Sequence, residues 1–186
     1  MTFRPLLATL VIAAVLAAVV LLSVRHKHPA PAAPAPSAAA QPAAPTPVPG
    51  KLVLFFPGDD ALLHREAREV PELPAGALPR IRLVMEELLA GSREGFSPAF
   101  PWPGSVQAVF LDRDGNAYVD LSSPPPDSPS GSDIEVVIAY ATANSLVANC
   151  PGVRRVQVLF GGHEVATLGH LDLSKPLAPN LELVAP

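Results

Sequence analysis

Two aspartates suggest the most specific chemistry in this sequence. Asp120 and Asp172 each begin an Asp-Leu-Ser tripeptide. Two carboxylates across a cleft can share the acid and nucleophile roles of glycoside hydrolysis, and similar pairs serve peptide hydrolysis. A short acid at a strand end can instead cap nearby backbone N–H groups. Hydrolysis also needs a cleft and perturbed acids, which the sequence does not show, so we expect capping and keep hydrolysis as the alternative.

The cysteine and histidines have no spacing that favours catalysis or metal binding. Cys150 is the sole cysteine and lies at the end of a predicted helix, so we expect a buried, inert thiol. His64, His163 and His170 show none of the short spacings typical of zinc ligands. No G-x-S-x-G motif is present either. We therefore predict neither catalytic residues nor a metal or cofactor.

An Asp-Gly turn separates two β-rich runs, Val106 to Leu111 and Asn116 to Leu121. This arrangement predicts a β-hairpin. Asp112, Asp114 and Gly115 also resemble the start of a calcium-binding loop. The remaining ligand positions and the closing Glu of such a loop are absent, so a hairpin turn is the preferred interpretation.

One loop between predicted elements is rich in aromatic residues. Phe96, Phe100 and Trp102 lie among Gly, Pro and Ser residues of the segment 91–104. Aromatic side chains are enriched at interaction hot spots, which makes the three rings a candidate interaction surface. Anchoring of the loop in the core is the preferred interpretation, and the interaction surface is kept as the alternative.

The first 28 residues predict a membrane anchor. Leu6 to Val24 is uncharged and long enough to cross a bilayer, with Arg4 before it and a basic cluster after it. A cleaved signal peptide and a buried globular helix are the alternatives. We expect one crossing of the cytoplasmic membrane, with the C-terminal domain on the periplasmic side.

Residues 29–50 form a linker and residues 51–186 a domain. The linker consists mainly of Pro and Ala, a composition typical of an extended polyproline II spacer. All 17 acidic residues belong to the domain, whereas Arg4, Arg25 and Lys27 precede it. The domain is thus more acidic than the net charge of −4 indicates, which argues against nucleic acid as a partner.

Hydrophobic periodicity predicts an α+β domain. The fold class we expect is a small, largely antiparallel or mixed sheet with two helices packed on one face, preceded by one transmembrane helix. A capping box is predicted at Ser132 and Glu135. Besides the hairpin, the predicted elements are strands Lys51 to Phe56, His64 to Val70, Val156 to Phe160 and His163 to Leu168, and helices Pro79 to Ala90 and Ser132 to Ala148.

The order and spacing of several motifs in the domain resemble the GerMN domain of sporulation and spore-germination proteins. The positions that carry the resemblance include Glu87 to Gly91, Asp114 to Ser122, Pro151 to Gln157 and Gly169 to Ser174. The residues that we place at family-motif positions are Asp120, Leu121, Ser122, Gly169, His170 and Asp172. The resemblance implies a bacterial envelope protein tethered to the outer side of the cytoplasmic membrane, without known catalytic residues.

Three functions follow from these observations. The first is a non-catalytic scaffold that holds envelope proteins, or further copies of itself, in sporulation, germination or cell-wall remodelling. The second is a peptidoglycan-binding module that regulates a cell-wall hydrolase. The third is a hydrolase built on Asp120 and Asp172.

Overall fold

The computed structural model describes residues 49–129, 131–167 and 171–186. The predicted anchor, Leu6 to Val24, lies outside the described residues, as does most of the linker. Within the described ranges, no helix combines the length and hydropathy that a membrane crossing requires. The elements are β1 (Gly50–Pro57), β2 (Leu63–Val70), α1 (Ala77–Leu89), β3 (Val106–Leu111), β4 (Asn116–Leu121), α2 (Ser132–Asn149), β5 (Arg155–Phe160), β6 (His163–Glu164) and a 3-10 helix (Leu181–Leu183).

β1 and β2 form a two-stranded antiparallel sheet. The register runs without a break from Gly50 opposite Val70 to Pro57 opposite Leu63, which confirms the predicted edge strand. The connecting turn is closed by the Gly58 N–H, which donates to Leu62 O over 2.8 Å. Ala61 in this turn has a φ of 62°, a left-handed conformation that is unfavourable for a residue with a Cβ.

The second sheet has the strand order β3-β4-β5-β6. β3 and β4 form the predicted hairpin. β5, however, runs parallel to β4, from Asn116 opposite Arg155 to Leu121 opposite Phe160. The expected single sheet is therefore corrected to two sheets. One of them is mixed, which the expectation of a largely antiparallel or mixed sheet allowed. The parallel pair arises because α2 carries the chain back along β4, so that β5 starts at the same end of the sheet.

The two helices connect the sheets instead of covering one face of a single sheet. α2 contacts β1 of the first sheet and β5 of the second, while α1 contacts β1, β3 and α2. α2 is buried on most of its sides, as expected for a helix enclosed in a core. α1 buries Ile81, Val84, Met85 and Leu88, the face predicted from periodicity, and begins two residues before the predicted start at Pro79.

The capping box predicted at the start of α2 is wrong. The N-cap is Gly131, and no side chain caps the helix there. Glu135 is instead fully buried. Its carboxylate accepts hydrogen bonds from Thr167 Oγ1 and from the Leu171 N–H, both at 2.7 Å. A buried carboxylate needs donors, and these two lie in the C-terminal segment that Glu135 holds against the helix.

β6 is much shorter than the strand predicted from His163 to Leu168. It comprises only His163–Glu164, after the predicted turn at Gly161 and Gly162, and Leu168 lies outside the described residues. The cause is competition for the edge of β5. Leu177 pairs with Val156 through two backbone hydrogen bonds of 2.8 and 2.9 Å, so the C-terminal segment occupies the position that a longer β6 would need.

Side chains of α2 cover the edge of β1 that does not face β2. Asn149 accepts from the Val53 N–H over 2.9 Å and donates to Val53 O over 2.7 Å, replacing a neighbouring strand. Ser145 Oγ accepts from the Phe55 N–H over 3.1 Å. An uncovered edge would leave these backbone groups unpaired and open to another strand.

Replacing Asn149 with Ala is expected to destabilise the domain by about 1–3 kcal/mol, because two part-buried backbone groups of Val53 lose their partner. Urea denaturation followed by circular dichroism measures the change. The exposed Glu86→Ala on α1 is the control, with an expected change within about 0.5 kcal/mol. Equal effects of the two substitutions would contradict the role given to Asn149.

Candidate functional site

The aromatic loop points its largest rings inward. Phe100 and Trp102 are only 5% and 7% exposed, and Trp102 meets Phe160 edge-on with ring centroids 6.2 Å apart. Phe96 is half-buried and stacks on His64 at 4.9 Å. The structure therefore places these rings in or against the core, which was the preferred interpretation, and Phe100 and Trp102 do not form an exposed surface.

Both aspartates of the Asp-Leu-Ser tripeptides cap backbone N–H groups. Asp120 Oδ1 accepts from the Gly162 N–H over 2.8 Å. Asp172 Oδ1 accepts from the Ser174 N–H over 3.0 Å and from the Ser174 hydroxyl. The hydrogen bonds from the Ser174 side chain and backbone hold the pKa of Asp172 below its ordinary value. This is the geometry expected for capping.

The remaining motif positions extend the β3–β4 hairpin or lie outside the described residues. Leu121 is buried, and Ser122 pairs with Ser105, its N–H donating over 2.9 Å and its Oγ accepting over 3.1 Å. Gly169 and His170 fall in the stretch that the structure does not describe. The motif residues that are described thus have structural roles.

Asp112 organises the hairpin turn. Its Oδ1 accepts from the N–H groups of Asp114 and Asn116 over 2.9 and 2.8 Å, and its Oδ2 accepts from the Asn116 side chain over 2.8 Å. These bonds lower the pKa of Asp112. Across residues 49–129, 131–167 and 171–186, no group of three His, Cys, Asp or Glu side chains is arranged to hold a metal ion.

Cys150 is buried at the end of α2, as predicted. Burial raises the pKa of its thiol to about 12, against a smaller opposite effect of the Arg80 charge. We expect Cys150 in the folded chain to resist a disulfide reagent such as dithionitrobenzoate at pH 8, and to react once urea unfolds the domain. A fast reaction under native conditions would contradict this assignment.

The main polar feature that sequence reasoning missed is a buried ion network on β2. Arg68 and Glu66 are 2% and 1% exposed. The Arg68 guanidinium donates to Glu66 Oε1, to Glu87 O and Oε2 over 2.7 and 2.9 Å, and to Gly91 O over 2.8 Å. Each of its N–H groups thus has an acceptor. Arg68 also lies over the Phe56 ring, 5.6 Å from its centroid.

The other oxygen of Glu66 fixes the start of the aromatic loop. It accepts from Ser92 Oγ over 2.6 Å and from the N–H groups of Arg93 and Glu94 over 3.0 and 3.3 Å. The sequence held one indication of this network, because Glu66, Arg68 and the core residue Val70 share one face of an alternating strand. The network therefore ties the loop to β2 and to the end of α1.

Acid should weaken the domain partly through Glu66. Burial raises the pKa of its carboxyl, but hydrogen bonds from Ser92, Arg68 and Arg93 outweigh burial and hold the pKa below the ordinary 4.5. A carboxyl with a lowered folded-state pKa contributes stability above its unfolded-state pKa, and loses that contribution as pH falls through the folded-state value. We expect unfolding free energy to fall below about pH 4.5, and to fall less in Glu66→Gln. Parallel pH curves for the two chains would contradict this role.

A concave apolar surface runs along the first turns of α2. It consists of two adjoining depressions, about 250 and 190 Å³ in volume, that share Pro57, Asp133 and Val137 as a common ridge. We call this surface the α2 groove. The first depression is bounded further by residues that include Ala61, Leu62 and Leu183, and the second by Pro98, Ala99, Ile134 and Pro101.

Two features described above position the lining of the α2 groove. The inward rings of Phe100 and Trp102 anchor the aromatic loop, while Pro98 and Pro101 of the same loop line the groove. The strained turn at Ala61 forms part of the first depression. Backbone strain of this kind persists only where the surrounding structure holds it, and it is concentrated at functional sites.

Comparisons with known proteins connect the chain to one family and to one fold. The model of the Germane family, described as sporulation and spore germination, matches residues 53–166. The first GerMN domain of the sporulation protein GerM from Bacillus subtilis is 19% identical, with a TM-score of 0.50 over 69% of this chain and 97% of that one. The tandem GerMN domains of GerM are 17% identical, with a TM-score of 0.51 over 70% of this chain and 46% of that one. No curated protein sequence matches the chain.

Proposed function

We propose, since the chain belongs to the Germane family of sporulation and spore germination proteins, that its domain is a non-catalytic module that binds proteins of the cell envelope. The observation that carries the proposal is the α2 groove. Its lining is almost entirely aliphatic and proline, with Asp133 as the charged side chain among its lining residues. Such a surface offers anchoring pockets without an acid–base pair.

The potential catalytic groups are either engaged in structural hydrogen bonds or unreactive at neutral pH. Asp120 and Asp172 accept hydrogen bonds from Gly162 and Ser174. A thiol with a pKa of about 12, such as Cys150, supplies almost no thiolate at neutral pH. We infer that folded Asp120→Asn and Asp172→Asn chains will replace the native chain fully when each is expressed in a strain that lacks the native gene.

The N-terminal residues complete the proposal as a tether. Leu6 to Val24 would cross the cytoplasmic membrane once, and residues 29–50 would hold the domain away from it on the periplasmic side. At about 3.1 Å per residue, a polyproline II linker of this length reaches roughly 65 Å. Protease added to intact spheroplasts should then remove the domain, and protection of the domain would refute this topology.

Affinity capture of the full-length chain from cross-linked native membranes tests the interaction role. A chain that ends at Gly50 retains the anchor and linker and is the matched control. We expect the full-length chain to recover envelope proteins that the control chain does not recover. If both chains recover the same proteins, or the full-length chain recovers none, the proposed function is wrong. Recovery of further copies of the chain alone would point to self-assembly.

One exposed aromatic residue favours peptidoglycan binding as a second candidate function. Phe110 on β3 is 58% exposed and lies opposite Tyr118 on β4, so both rings point to the same face of the sheet. Flat rings on an open face can pack against sugar rings. The test is whether the chain sediments with purified cell wall. Sedimentation of the native chain that is lost in Phe110→Ala would favour this function over protein binding.

A further inference from the structure

The shape of the α2 groove sets the size of what it can hold. Two separate depressions of about 250 and 190 Å³ are each smaller than the roughly 300–1,000 Å³ of typical small-molecule sites. Each has room for one large apolar side chain. Two neighbouring anchors of this kind are typical of sites that bind a peptide segment.

The charge of the α2 groove is concentrated at its middle. Asp133 lines both depressions and therefore lies between them. Its side chain is exposed, and within the described part of the chain it has neither an ion pair nor a hydrogen bond. Asp60, in the turn beside the groove, is in contrast held by His64 Nε2 at 2.9 Å. Asp133 is thus available to a cation from a partner.

From these positions we infer that the α2 groove binds a partner segment in which a Lys or Arg is flanked on both sides by large apolar residues. The apolar side chains fill the two depressions, and the cation meets Asp133 on the ridge between them. The inference rests on the proposed function and specifies the chemistry of its partner. An acidic partner segment would place a like charge against Asp133, and a glycan offers neither the two anchors nor the cation.

A second copy of the chain is a weaker fit for the α2 groove. One described segment with this pattern that lies outside the named helices and strands is Leu173 to Leu177, around the exposed Lys175. That segment is held to its own domain, because Leu173 O accepts from Gln157 and Leu177 pairs with Val156 through two backbone bonds. A second copy would have to detach it first.

Site-specific photocross-linking in the full-length chain tests the inference. A photoreactive amino acid replaces the half-buried Val136 in the α2 groove, or the exposed Gln107 on β3 as the matched control position. Cells of the source organism are irradiated, and the cross-linked partner segment is identified by mass spectrometry. We expect Val136 to capture a segment with apolar residues on both sides of a Lys or Arg.

Charge exchange at Asp133 then tests the central contact. Asp133→Lys should lower the cross-linking yield at least about tenfold, because facing like charges cost several kcal/mol. Asp127→Lys, an exposed acid outside the groove lining, should leave the yield unchanged. Replacing the captured Lys or Arg of the partner with Glu should restore cross-linking to Asp133→Lys. Melting curves confirm that each variant remains folded.

Several results would overturn the inference. One is capture at Val136 of lipid, or of a protein segment without this pattern. Another is capture at Val136 of Leu173 to Leu177 from a second copy. A third is an unchanged cross-linking yield in a folded Asp133→Lys chain. Capture of envelope proteins at Gln107 but not at Val136 would refute the groove and leave the proposed function standing. Capture at neither position would refute both.

Discussion

Replacing Arg68 with Met is expected to destabilise the domain by about 3–5 kcal/mol, the cost of removing one partner from a buried ion pair. Arg68 and Glu66 are nearly inaccessible to solvent. Without the guanidinium, Glu66 keeps its negative charge in a buried site, and the carbonyls of Glu87 and Gly91 lose their donor. Urea denaturation of the fragment Thr46–Pro186, the compact unit that contains the domain, measures the loss.

Arg93→Met is a closely matched control. Arg93 and Arg68 both contact Glu87 Oε2 at 2.9 Å, but the Arg93 side chain is 60% exposed and the Arg68 side chain only 1%. Exposed ion pairs contribute about 0–1 kcal/mol, so Arg93→Met should change stability by no more than that. Equal losses in the two variants would show that burial does not determine the energy of this network.

A second substitution in the Arg68→Met chain identifies the source of the loss. Glu66→Gln removes the unpaired charge while keeping a polar side chain near Ser92 and Arg93. We expect the double variant to be more stable than Arg68→Met alone, because the uncompensated charge is the main cost. A double variant less stable than Arg68→Met would mean that lost hydrogen bonds dominate.

The other large effect is expected at Trp102. Its side chain is 7% exposed, and Trp102→Ala would leave a cavity against Phe160, at a cost of about 3–5 kcal/mol. Trp102 is the sole tryptophan of the chain, so the loss is measured by circular dichroism, which does not depend on tryptophan fluorescence.

Phe110→Ala is the control for Trp102. Both residues are aromatic, but Phe110 is 58% exposed, so its truncation should change stability within about 0.5 kcal/mol. A neutral Trp102→Ala would mean that the ring does not anchor the loop. If the loop is anchored as described, Trp102→Ala should also weaken any binding in the α2 groove, because Pro98 and Pro101 would lose their support.

Local patterns in the sequence were sufficient to predict most helices and strands of the described domain. A short apolar run ended by a turn predicted β1, and alternation predicted β2 and β5. The Asp-Gly turn predicted the β3–β4 hairpin, and the 3.6-residue period predicted α1. Turn chemistry and capping predicted the roles of Asp112 and Asp120. The resemblance to the GerMN domain, based on the order of these motifs, is confirmed by the family match over residues 53–166.

The α2 groove had no comparable signal in the sequence. Its lining residues come from the β1–β2 turn, the aromatic loop, the start of α2 and the C-terminal 3-10 helix, which are far apart along the chain. Pro98 and Asp133 are ordinary loop and helix-start residues until these elements meet. A concave surface of this kind can be found only once the elements are placed in three dimensions.

The sequence by itself determined the type and order of the elements, the family and the capping aspartates, because these depend on residues close together along the chain. The tertiary structure alone decided that the strands form two sheets joined by α2, that Glu66 and Arg68 are buried, and that the rings of Phe100 and Trp102 face inward. The physical reason is that burial depends on which distant elements meet. Two charged residues on an alternating strand resemble a solvent-exposed face until α1 and the aromatic loop enclose them.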